Sequence, residues 1–132
     1  MEIKKLQVRL EECKGKLLEQ SPDPSKPLDI HVDHYYSFQQ MEEETAALYR
    51  LHTKVSPRPE ALFVIEIDQS IHAVFGEAIP MDQVDKMAYD LCSQGASALS
   101  LLVGNLSKEL IDTAIIIPPQ LNKNSFTKLE VK

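Results

Sequence analysis

The chain has no tryptophan, two cysteines and four glycines, and each shortage removes a class of reading. Cys13 and Cys92 share no spacing with each other or with a histidine, so neither a disulfide framework nor a thiolate zinc site is encoded. Each falls on or beside an apolar stripe and reads as a buried, inert thiol of a reducing compartment. The four glycines stand singly, which removes the Gly-rich loops that cradle phosphates, and no G-x-S-x-G marks a nucleophile. No run approaches the roughly 18 apolar residues of a membrane span, and the opening MEIKKLQVRL is charged throughout, unlike a secretory leader. The expectation is a cytoplasmic protein with no membrane partner and no cofactor, non-enzymatic in its main reading; whether it is an enzyme and whether it holds a metal are left open.

Basic charge is scarce in one half. The net charge is −6. Between Glu60 and Asp112 only Lys86 and Lys108 oppose nine carboxylates, a field that repels phosphate backbones. The first 20 residues carry five Lys/Arg against four Glu, too balanced for a nucleic-acid arm. Direct nucleic-acid binding is therefore not expected.

What is present is apolar content of 43% in 132 residues, enough for one domain that folds without disulfides or metal. In residues 1–20, Ile3, Leu6, Leu10, Cys13 and Leu17 alternate three and four apart, the a/d spacing of a short coiled coil, which predicts an N-terminal helix. The stretch SPDPSKP (21–27) reads as a proline-rich linker. A single α+β domain over 28–132 follows.

Within that domain, alternation over residues 28–36 predicts a strand. A Ser37/Gln40 capping box leads a helix to about Lys54, with Phe38, Met41, Leu48, Leu51 and Val55 as its stripe. The turn SPRP (56–59) precedes ALFVIEI (61–67) and IHAVFGEAI (71–79), which read as a hairpin with Asp68, Gln69 and Ser70 as its loop. That register sets Ile67 against Ile71 and leaves one face wholly apolar. Met81 to Gly95 reads as a helix behind Pro80. Residues 97–103 and 110–117 read as strands, and FTKLEV as an edge strand. The resulting order is a ferredoxin-like βαββαβ sheet with an N-terminal helix and extra C-terminal strand. Residues 80–120 also resemble the front part of MPN (JAMM) domains in their helix and apolar pattern. That family's catalytic Glu would fall near Ser97, and its His-x-His with following Asp is absent, so the likeness implies an inactive scaffold.

Two surfaces emerge as candidates. His31 and Asp33 point to the open face of the expected sheet, where the hairpin register sets Glu66 opposite His72; together the four form a candidate site for a small molecule or a divalent ion. His34 and His52, on or near apolar faces, read as core histidines. The other surface is the N-terminal seam of Ile3, Leu6, Leu10 and Leu17. It is too short to stand alone, and a parallel coiled-coil dimer would set Arg9 against Lys14. It therefore has to be covered by its own domain, an antiparallel copy or a partner. The expected function is an interaction or assembly module that self-associates or docks a protein through this segment, the alternative being a ligand-binding, possibly catalytic, open sheet face.

Overall fold

The computed structural model describes residues 3–18, 29–41, 43, 45–58 and 62–129. Four long strands come first: β1 (Ile3–Leu17), β2 (Asp29–Met41), β3 (Ala46–Arg58) and β4 (Phe63–Phe75). Then follow α1 (Met81–Lys86), α2 (Ala88–Cys92), a 3₁₀ turn at Ser93–Gly95, α3 (Ala96–Ile111) and a short β5 (Phe126–Lys128). The sheet order is β1-β4-β3-β2-β5. All pairs are antiparallel except β2 with β5. Strands β2, β3 and β4 are successive neighbours, whereas β1 lies beyond β4, the arrangement of a Greek key. The linker expected at 21–27 lies outside the described residues.

The center of the sheet follows from alternation in β4. Phe63, Ile65, Ile67, Gln69, Ile71, Ala73 and Phe75 are buried on one side, while Val64, Glu66, Asp68, His72 and Val74 are half-buried on the other. In β3, Ala47, Tyr49, Leu51, Thr53 and Val55 continue the buried side, next to Tyr36 and His34 of β2. The helices cover this side only. Their buried apolar residues are Val84, Ala88, Leu91, Cys92, Ala96, Leu99 and Val103. Tyr49 donates its hydroxyl to the Val84 carbonyl at 2.6 Å, and Tyr36 donates to Asp85 at 2.8 Å. Phe126 stacks on Tyr36 with ring centers 4.5 Å apart and meets Tyr89 edge-on, which holds β5 against β2. No helix among the described residues is long and apolar enough to cross a membrane.

The α+β class stands, and so does the placing of helices on one face. The ferredoxin-like order does not, because among the described residues no helix lies between the first four strands and none precedes them. The N-terminal helix is β1. Its three- and four-residue spacing arises from two bulges, between Ile3 and Lys5 and between Leu10 and Glu12. Each adds one residue to a period of two, so the steps of three fall at the bulges and the steps of four are two ordinary strand repeats. The second helix is the end of β2 and most of β3, joined by a turn in which Glu43 takes φ 56°. Helix-forming residues in MEEETAAL are overridden by the pairing of both strands over their full length.

The expected hairpin at 68–70 is continuous strand, and Gln69 is buried where it donates to the Gly95 carbonyl at 3.2 Å. The strand expected at 97–103 is the first half of α3, whose buried Ala96, Leu99, Val103 and Ser107 follow helical spacing; the MPN-like strand reading of this segment falls with it. Gly95 does not stop the helical run, since α3 begins at once after it. The C-terminal edge strand does form, as β5.

Two outcomes follow from the core. Tyr49→Phe leaves the Val84 carbonyl without its hydroxyl donor and lowers unfolding free energy by about 1–2 kcal/mol in urea titration. His34, 2% exposed and within 2.8 Å of the Thr53 hydroxyl, has its pKa pushed down to about 4 by burial, against a weaker opposing pull from Asp33. The unfolded chain thus gains this proton near pH 6.5, before the native one does. Stability from this group is fully present above pH 6.5 and is lost as the pH falls toward 4, by up to about 3 kcal/mol. His34→Gln should flatten the stability curve over that window; an unchanged slope would show that another group carries it.

Candidate interaction surface

Every residue of β1 is exposed except Cys13, which is half-buried. Residues opposite one another on an antiparallel pair point to the same face. Ile3, Leu6, Val8, Leu10, Cys13 and Leu17 face Phe75, Ala73, Ile71, Gln69, Ile67 and Phe63 of β4, so all lie on the helix-covered side. The cover stops short of them. At Gly15, a Cβ would stand 2.8 Å from Leu110 Cδ1, so α3 seats its last turns over the C-terminal half of β1. Ile3 stays 40% exposed, Leu6 36%, Val8 37%, Leu10 46% and Leu17 56%. On the opposite face run Lys5, Gln7, Arg9, Glu12, Lys14 and Lys16, paired with Val74, His72, Ser70, Asp68, Glu66 and Val64.

No strand among the described residues pairs with the outer edge of β1. The four residues named from the heptad pattern do share one face. They are joined there by Val8, which a helical reading put off the stripe and which stands midway between Leu6 and Leu10.

The open sheet face separates the four candidate ligands. Asp33 pairs with Lys54, and Lys54 with Glu66, so a lysine stands between the two carboxylates in one row. His31 is in the next row, opposite Ser56. His72, opposite Leu48 and Gln7, is six residues along β4 from Glu66, roughly 20 Å at strand rise. Among the described residues no three His, Cys, Asp or Glu come together as a metal site. Glu66 instead meets His52, whose Nδ1 is 2.6 Å from Asp68 and whose Nε2 is 3.5 Å from Glu66. The two carboxylates occupy opposite ring nitrogens and do not converge. His52 is therefore an open-face residue, whereas His34 is the core histidine.

A groove of about 300 Å³ lies at the other edge, between the first half of β2, the start of α3 and the segment before β5. Its walls include Ile30, Val32, Leu99, Ile117, Pro118 and Leu121, with His31 and Asp33 also lining it. Cys92 is fully buried and its thiol is pushed up to about 12 by burial, and Cys13 is raised for the same reason. Neither thiol has the lowered pKa of a reactive cysteine.

The sequence matches no protein-family model and none of the curated proteins. Solved structures do match. The fold superimposes on the SecB-like chaperone of Mycobacterium tuberculosis, solved in complex with a ChAD peptide from the HigA1 antitoxin. The TM-score is 0.64 over 89% of this chain and 88% of that one, at 11% sequence identity. A protein of unknown function from Streptococcus agalactiae matches at TM-score 0.49 and 13% identity, over 89% of this chain and 99% of that one. At the identity of the first match, what is shared is the fold.

Proposed function

We propose that this chain is a non-enzymatic protein-interaction module that works through β1, by adding a partner's strand to the open edge and covering the apolar row beside it. The observation that carries this reading is a 15-residue edge strand with five exposed aliphatic side chains on one face. Unpaired backbone along such an edge is a template for another chain, and proteins normally blunt it by shortness, proline or cover. With a third to a half of each side chain still exposed, covering Leu6, Val8 and Leu10 contributes about 0.5–1 kcal/mol apiece. The backbone pairs come in addition. A SecB-like chaperone that was solved with a peptide shares the fold, which supports a role in binding protein.

Because Leu6 and Leu10 already reach solvent, replacing both with Lys costs the fold about 1 kcal/mol or less. The same change should weaken association at least tenfold in sedimentation equilibrium. Unchanged association in that double variant would refute the β1 edge as the working surface.

A second reading rests on the groove beside β2. Its apolar walls suit one or two side chains of an extended peptide or a small apolar ligand, in place of the open-face site first expected from His31, Asp33, Glu66 and His72. Filling it with Ser125→Trp should abolish the binding of a labelled apolar peptide while leaving β1 association intact. Peptide affinity indifferent to that substitution would remove the groove from the account.

A further inference from the structure

Resting on the β1 reading, we infer that the strand seated on this edge is β1 of a second copy of the same chain, antiparallel, with the two-fold axis at Val8. The argument is one of register. Along β1 the side toward the helices is taken by Ile3, Leu6, Val8, Leu10 and Cys13, and the open side by Lys5, Gln7, Arg9 and Glu12. The bulged Glu11 also reaches the open side, where its carboxylate accepts from the Ser70 hydroxyl at 2.7 Å. Reflected about Val8, this pattern maps onto itself. Ile3 falls opposite Cys13 of the second copy, Leu6 opposite Leu10, and Val8 opposite Val8. The two bulges change places as well, because positions 4 and 5 meet 12 and 11.

Charge selects the same register. Centered on Val8, Lys4 faces Glu12, Lys5 faces Glu11, and Gln7 faces Arg9 across the two-fold. A shift to Gln7 sets Lys5 against Arg9, and a shift to Arg9 sets that arginine against its own copy. A shift to Leu10 puts Val8 opposite Glu12, an apolar residue against one that points to the other face. A parallel in-register pair would oppose like with like at each charged position. Opposite charges facing across a strand pair stabilise it and like charges do the reverse, so of these registers one satisfies both the faces and the charges. The contact is isologous and closes at two copies, giving one continuous sheet with the apolar rows of both edges side by side.

The test is a charge exchange on the full chain. Sedimentation equilibrium of the wild type should give a dimer. Lys5→Glu alone and Glu11→Lys alone should each weaken it roughly tenfold, since two opposed pairs per dimer become like pairs. The double variant should recover wild-type affinity. In a Cys13→Ser background, Val8→Cys should form an intermolecular disulfide under mild oxidation, while Gln7→Cys should not. A dimer whose singles weaken but whose double does not recover overturns the register. A chain that stays monomeric overturns the inference but leaves the broader reading standing if a labelled peptide with the sequence of residues 3–13 still binds and Leu6→Lys/Leu10→Lys abolishes that binding. A monomer that binds no such peptide removes both.

Discussion

The pairing of β4 on both of its edges is the interaction on which the rest of the molecule depends. Along one edge β4 is laddered with β1 from Phe75 to Phe63, and along the other with β3 from Val74 to Ile65. Its odd-numbered residues then form the middle of the buried floor, under α2 and α3, while α1 sits beside it over β2 and β3. Were β4 broken into a hairpin at Asp68, β1 would have no partner of its own length and β3 would be left with β2 alone. Once it is continuous, β1 is carried to the outside of the sheet, paired along one edge and, among the described residues, not along the other.

That geometry leaves an unfinished strand. Most edge strands are short or carry charge on both faces. β1 is long, and its charge is confined to the face away from the helices. Its apolar row continues the buried side of the sheet past the point where α3 ends its cover at Gly15. The domain has thus built a core wider than its own helices close over. The same residues that would be a liability in isolation would be matched, in the register we infer around Val8, by those of a second copy.

How much of this is legible in the sequence differs by element. The seam of Ile3, Leu6, Leu10 and Leu17 and its need for cover can be read directly, because either secondary structure puts those residues on one face. The structure type cannot, because two bulges turn a period of two into steps of three and four that imitate a heptad. Val8, in phase with Leu6 and Leu10, and Gly15, costly in a helix, were the signals against it. In β3 the run Tyr49-Arg50-Leu51-His52-Thr53-Lys54-Val55 alternates cleanly, yet helix-forming residues before it and a stripe at Leu48, Leu51 and Val55 point the other way. The expected hairpin loop held no Gly or Asn, and the buried Gln69 shows why such polar residues mid-strand mislead: its Nε2 donates to the Gly95 carbonyl far along the chain, while its Oε1 is buried without a partner. The four-residue ligand set depended on that hairpin register and comes apart with it. The groove beside β2 could not be read at all, since its walls come from segments separated by more than 60 positions.

Amide hydrogen exchange along residues 3–17, followed as a function of protein concentration, tests the central claim most directly. The account predicts that at low concentration alternate amides of β1 are protected, those turned toward β4, and that the intervening set from Lys5 to Glu11 becomes protected as concentration rises. Protection of consecutive amides in a helical pattern, or an alternating pattern that ignores concentration up to the millimolar range, would contradict it.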